Sequence, residues 1–169
     1  MMSMTPTSAG ESHCFKGVTS HVTVQAHPRP IYQAIRDLRL KDDGDVRVVS
    51  EDENQALLEE TFDGLPIIGR AKCLYREHYK PFEKIEYKMV ESDKFKAFEG
   101  TWQITPTADG GACVLQLSSY VDTGLTIPFA RQITNGQTLK DIHERLTAVK
   151  KAAEASEFHR GLGAAGTTQ

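Results

Sequence analysis

Three cysteines, Cys14, Cys73 and Cys113, stand in a chain of 169 residues. Their odd number and wide spacing argue against a disulfide framework and give no pair the spacing of a metal site. A reducing, cytoplasmic setting is the expectation. The six histidines form no HxH, HxxxH or HExxH pattern, so no metal is expected. Ser118 and Ser119 lack a Gly-x-Ser-x-Gly elbow, which argues against a serine nucleophile. Gly161 and Gly163 follow no strand and make no phosphate loop; no cofactor is expected. No apolar run reaches membrane-spanning length, so no stable membrane insertion is expected. Met1 to Glu11 has neither the basic nor the apolar region of a secretory signal. The net charge of -3 and pI near 6.1, without a dense Lys/Arg stripe, are too mild to point to nucleic acid or an anionic membrane surface.

What is present is an ordinary globular composition, 39% hydrophobic and 25% charged, sufficient for one domain with one core. The domain is expected at 17–156, between flexible tails at 1–16 and 157–169. Val18, Ser20, Val22 and Val24 alternate with polar residues as a half-buried strand. Pro28 and Pro30 suit a first helical turn, and Ile31, Ala34, Ile35 and Leu38 continue that helix. After a charged turn at 41–45, strands are expected over Val46–Ser50, Ala56–Phe62, Arg70–Tyr79, Lys84–Val90, Lys96–Thr105 and Ala112–Val121, with a strong turn at Asp109-Gly110-Gly111. A long helix is expected from near Ile127 or Pro128 to near Ser156. Its apolar stripe is Leu139, Ile142, Leu146, Val149 and Ala153, and Leu139, Ile142, Leu146 and Val149 are expected to be almost fully buried. The order β-α-β-β-β-β-β-β-α makes an α+β fold, a curved antiparallel sheet that covers its apolar face with the last helix.

The first half of that helix has few apolar anchors and a central Gly136. A helix packed tightly at one end and loosely at the other leaves room beneath the loose end for a small apolar ligand. The expected walls are Phe62, Tyr75, Tyr87, Met89, Phe98, Trp102 and Leu117 from the strands, with Phe129 and Ile133 from the helix. Trp102 reads as a core anchor before a ligand platform, two roles that overlap in such a fold. Tyr75 and Tyr87 either hold a ligand oxygen or place their hydroxyls at the rim. Glu60 points inward if Ala56, Leu58 and Phe62 do; in the other register Leu57, Glu59 and Thr61 are inside and Glu60 is in water. Glu60, Tyr75 and Tyr87 are the weak candidates for acid–base chemistry. The connection Gly64-Leu65-Pro66-Ile67-Ile68-Gly69 is apolar for a loop. Leu65, Ile67 and Ile68 form either a lid against Phe129 and Ile133 or an extension of the core. Cys73 and Cys113 read as small core hydrophobes.

The segment HVTVQAHPRPIYQAIRDL resembles the opening of the START/Bet v 1-like (SRPBCC) superfamily, with Ala26, Pro28, Tyr32 and Asp37 at its motif positions. FKAFEGTWQITPTADGGACVLQLSSYVD resembles that superfamily's late hairpin, with its Gly-x-Trp strand. The likeness spans Val18 to Ser156 and leans to the polyketide cyclase/dehydrase and coenzyme-Q-binding branch. Pro30, and Gly64–Gly69 in place of a glycine-rich connection, depart from the generic pattern. The resemblance implies a helix-grip fold whose cavity takes a lipid, quinone, sterol, hormone or polyketide. Three functions remain open: a binder or carrier of a small hydrophobic molecule, a cyclase or dehydratase, and a protein-interaction module with a closed core. Nothing in the sequence fixes the oligomeric state.

Overall fold

A computed structural model of the chain describes residues 17–39 and 45–165, with side chains through residue 159. The expected N-terminal tail, Cys14, His13 and most of the charged turn lie outside the described residues. The elements are β1 (Val18–Val24), α1 (Pro28–Leu38), β2 (Val46–Glu51), β3 (Gln55–Leu65), β4 (Gly69–Lys80), β5 (Lys84–Ser92), β6 (Ala97–Pro106), β7 (Cys113–Asp122) and α2 (Ala130–Ala165). This is the expected order. The seven strands form one open sheet in the order β1-β7-β6-β5-β4-β3-β2, antiparallel throughout. Register shifts in the β2–β3, β3–β4 and β4–β5 ladders add local twist, and the sheet curves around α2.

In α1, Pro28 and Pro30 fall in the first turn, where backbone N–H groups have no helical partner to lose. Tyr32 packs edge-on to Tyr79, ring centroids 6.4 Å apart. The core under the helices is built from Val24, Ile31, Leu58, Ile85, Ile104, Leu115, Leu117 and Ile142.

Helix α2 differs from expectation in three ways. It starts at Ala130, because Phe129 adopts φ 64°, a left-handed conformation that no α-helix contains; Pro128 therefore precedes it. It continues past Ser156 to Ala165. Glu157, one residue beyond the expected end, bonds to the His27 imidazole and accepts the His27 backbone N–H at 3.3 Å, and so ties the added turn to α1. Leu139 is 37% exposed, whereas Ile142, Leu146, Val149 and Ala153 are buried, as is Thr138. The stripe passes through Thr138, whose hydroxyl is satisfied by the Thr134 carbonyl at 2.8 Å. Leu139 lies about 60° round the helix from Ile142, on the flank facing edge strand β1. On that flank His143 bonds Ser20, Lys150 bonds the Thr23 carbonyl and Glu154 accepts the Gln25 N–H.

Candidate functional site: a two-chambered cleft under the C-terminal helix

Helix α2 packs on β1, β7 and α1. Strands β3 and β4 curl toward it from the far side of the sheet and leave a cleft. Its smaller chamber, about 60 Å³, lies between the N-terminal turns of α2 and the β3–β4 turn, and is walled by Phe62, Phe95, Phe98, Leu117, Ile133 and Ile142. Its larger chamber, about 460 Å³, extends toward α1 past Glu60, Tyr75, Glu77, Trp102 and Arg39. Phe62, Leu65, Tyr87, Phe98, Gln137, Asp141 and Arg145 line both, so the chambers are continuous.

Phe98 is the hub of the apolar wall. Its ring centroid lies 5.4 Å from that of Phe62, 5.2 Å from Tyr75 and 5.1 Å from Tyr87. Tyr87, Gly100 and Ser119 are cross-strand neighbours on β5, β6 and β7. The Tyr87 ring crosses over Gly100, and its hydroxyl donates to Ser119 Oγ at 2.9 Å. A Cβ on Gly100 would lie 2.3 Å from the Tyr87 hydroxyl oxygen. The glycine is therefore what lets Tyr87 lie flat.

The polar centre of the cleft is an ion pair across it. Glu60 is 7% exposed, which settles the β3 register in favour of Ala56, Leu58, Glu60 inward. Arg145 Nη2 donates to Glu60 Oε1 at 3.2 Å. The Arg145 side chain is 43% accessible and lines both chambers. Withdrawal from water disfavours its charge, but Glu60, then Tyr87, Tyr75 and Asp141, outweigh this and raise its pKa. The Tyr75 phenol is pushed well above its ordinary range by burial and by Glu60, to which it is hydrogen-bonded. Burial likewise raises Tyr87, against the opposing bond to Ser119. Both phenols are thus hydrogen-bond donors at neutral pH.

A second buried pair closes the α1 end. Arg39 donates to Glu77 and, at 2.6 Å, to the Tyr79 oxygen, while the Tyr79 hydroxyl donates to Glu77 Oε1 at 2.8 Å. With Arg39 and Glu77 side chains only 9% and 7% accessible, the triad fixes the end of α1 to β4 as a floor for the larger chamber.

The structure gathers Phe62, Tyr75, Tyr87, Phe98, Trp102, Leu117 and Ile133 around the cleft, and Leu65, Ile67 and Ile68 along its apolar mouth. Two expected wall residues are elsewhere. Phe129, turned out by its left-handed backbone, is 72% exposed. Met89 follows the ladder shift between Leu74 and Tyr75 and packs against the core without lining either chamber. The sequence patterns do not single out Arg145, Asp141, Glu77 or Arg39. Glu77 shares the parity of Ala71, Cys73 and Tyr75 on β4, which is a readable inward signal. Arg145 follows Ile142 by three and precedes Val149 by four, at the margin of the buried stripe. Among the described residues no histidine lines either chamber, and no group of three or more His, Cys, Asp or Glu side chains could hold a metal ion. No helix of the described residues is long and apolar enough to cross a membrane.

No family model and no curated protein matches the sequence; the likeness is structural. TTHA0849 from Thermus thermophilus matches with a TM-score of 0.67 at 20% identity, over 82% of this chain and 97% of its own. The ZhuI aromatase/cyclase from Streptomyces sp. R1128 matches with a TM-score of 0.65 at 19% identity, over 81% of this chain and 92% of its own. A START superfamily protein from Mycobacterium smegmatis matches with a TM-score of 0.51 at 17% identity, over 84% and 97%. Curved antiparallel sheet, short early helix and long C-terminal helix together give this chain a START-like helix-grip fold.

Proposed function

We propose that this chain binds a small, mainly apolar molecule that carries at least one hydrogen-bonding oxygen, held between the sheet and α2. The observation that carries the reading is the continuity of an aromatic-walled apolar chamber with a chamber of about 460 Å³ that presents the Arg145 guanidinium. That volume falls within the range of small-molecule sites, roughly 300–1,000 Å³. The apolar body rests on Phe62, Phe98, Leu117 and Ile133. The oxygen accepts from Arg145, whose bond to Glu60 uses one nitrogen. Quinones, sterols, lipids with a polar end and polyketide-like molecules share this chemistry. Leu65, Ile67 and Ile68 form the lid. The free thiols of Cys73 and Cys113 fit a reducing, cytoplasmic setting within the same reading.

Trp102 lines the larger chamber and is 6% exposed, so its emission reports occupancy. Titration with quinones, sterols, fatty acids and flavonoids is expected to give a saturable change for at least one class. No change with any class, together with no retained mass in native mass spectrometry of protein from its own host, overturns the proposal.

A second reading, a cyclase or dehydratase, is favoured by one observation: Glu60 and Tyr75 from the sheet and Arg145 from α2 converge across the cleft. A carboxylate base beside a phenol and a guanidinium is able to remove a proton next to a carbonyl while the carbonyl oxygen is polarised. An aromatase/cyclase stands among the fold neighbours, and the substrate for this reading is a polyketide-like chain. Product formation from such a chain, lost in Glu60→Gln with binding retained, would establish it; turnover unaffected by Glu60→Gln would rule it out.

A further inference from the structure

Around the mouth of the apolar chamber, large hydrophobic side chains face water. Ile67, in the β3–β4 turn, is 59% exposed, and Phe129, in the β7–α2 connection, is 72% exposed. Both hold left-handed backbones, φ 70° and 64°, a conformation that is an outlier for a β-branched or bulky residue. Strain of this kind persists where surroundings impose it and often marks a functional position. Ile127, beside Phe129, is 44% exposed. The two loops flank the opening: Ile67 lines it from one side, and Leu125 and Ala130 from the other.

Three cationic side chains stand at or near the same rim. Lys94 Nζ donates to the Ile68 carbonyl at 3.1 Å. The stem of Lys96 passes beside Gly124, where a Cβ would meet it at 2.8 Å. Arg131, exposed, follows Phe129 by two residues. Among the nearby carboxylates Asp63 is paired with Arg70 at 3.4 Å; Asp93 and Asp122 keep their charge while accepting the Lys72 and Gly124 N–H, each at 2.8 Å, so the three cations outnumber the two remaining carboxylates by one. The net charge of -3 sums the whole surface, whereas a docking face responds to charges within a Debye length, about 8 Å at physiological salt.

We propose that this end of the molecule docks on a lipid bilayer containing anionic headgroups. Ile67 and Phe129 enter the interfacial region, and Lys94, Lys96 and Arg131 meet the headgroups. Docking in this orientation sets the chamber mouth on the bilayer, so a poorly soluble molecule passes between membrane and cleft without crossing water. The association is peripheral and reversible. It goes beyond the ligand reading, and its test contains no ligand, so either stands or falls without the other.

The test is flotation of the full chain with vesicles of phosphatidylcholine, with and without phosphatidylglycerol. Binding is expected to the mixed vesicles and to weaken with salt. Ile67→Asn with Phe129→Asn places residues that tolerate the left-handed conformation, so melting is expected not to fall while vesicle binding falls on the order of tenfold or more. Lys94→Ala with Lys96→Ala and Arg131→Ala is expected to weaken binding to mixed vesicles about fivefold per charge. A wild-type chain that floats with neither vesicle overturns the proposal. So does undiminished binding of the asparagine variant, or a dimer in solution that this variant dissociates, which would assign the patch to a second copy. If the asparagine variant melts lower than wild type, the alanine variant decides: undiminished binding to mixed vesicles overturns the proposal.

Discussion

Replacing Arg145 with methionine keeps most of the apolar stem and removes the charge at the centre of the cleft. The guanidinium sits 3.2 Å from Glu60, whose side chain is 9% accessible against 43% for Arg145. Two unit charges at that separation attract by about 5 kcal/mol at an effective dielectric constant of ~20. Cleft water screens one partner and not the other, so the measurable loss is smaller. Exposed pairs contribute about 0–1 kcal/mol and breaking a buried pair costs about 3–5 kcal/mol; this half-open pair falls between, at about 1–3 kcal/mol. For a chain of this size that lowers the melting temperature by about 2–12 °C. Glu60→Gln leaves a cation that the cleft still hydrates and should cost less than about 1 kcal/mol. The double variant buries no charge and should melt close to Glu60→Gln, a coupling of about 1 kcal/mol or more in a double-mutant cycle followed by calorimetry. In titrations, Arg145→Met should weaken an oxygenated ligand about tenfold or more, a hydrogen bond to a charged group being worth about 1.5–3 kcal/mol. An Arg145→Met protein that melts like wild type, or variants whose effects simply add, would show that the pair is not coupled and that Arg145 does not organise the cleft.

Four further outcomes follow from the geometry. Gly100→Ala drives a methyl group to 2.3 Å from both the Ser118 carbonyl and the Tyr87 hydroxyl, and should cost about 1–3 kcal/mol in urea unfolding; an unchanged midpoint would refute the crossing of Tyr87 over β6. Burial raises the Asp141 carboxyl, against Arg145 and with help from Glu144. A carboxyl whose folded pKa exceeds its unfolded value contributes stability in acid that is lost as pH rises through the folded pKa; Asp141→Asn should therefore raise the melting temperature at neutral pH and leave it unchanged below the unfolded carboxyl range, about 3.9. The Cys73 thiol is pushed up to about 12 by burial, Glu60 and Asp93, so iodoacetamide should modify it in mild alkali only after unfolding, as read by peptide mass mapping. Ile68→Asp should weaken ligand uptake much more than stability; unfolding of the variant, or hydrogen exchange at 64–69 as slow as in the strand of Trp102, would make the segment core and not lid.

The element order, the antiparallel sheet and the buried stripe Ile142, Leu146, Val149 were legible because period-two and period-3.6 patterns report which side of a segment meets the core. The β3 register was not, because Leu57 and Leu58 offer an apolar residue to each face. The ladder resolves it: Leu58 stands opposite Tyr75 and Glu60 opposite Cys73, so a carboxylate is carried inside with its strand. Arg145 and Arg39 are hidden for a related reason. A charge at the margin of an apolar stripe reads as solvated unless the curvature of the opposite wall is known. Here that wall brings Glu60 and Glu77 to meet them. Phe129 and Leu139 fail in the opposite sense: both are apolar, yet a left-handed backbone turns one outward and the end of the sheet at β1 leaves the other uncovered.

Gly100-Thr101-Trp102 links the two levels of the problem. In the sequence it carries a resemblance of fold only. In the structure Trp102 stands against the larger chamber, and Gly100 supplies the gap through which Tyr87 reaches Ser119. Without that gap the Tyr87 ring would stand off β6, lose its place against Phe98, and occupy the space where the two chambers join. The glycine that allows the sheet to carry a flat aromatic layer is therefore also what keeps the cleft continuous. A motif that reports only architecture in the sequence thus sets the shape of the site, and variation at position 100 should change ligand selection before it changes the fold.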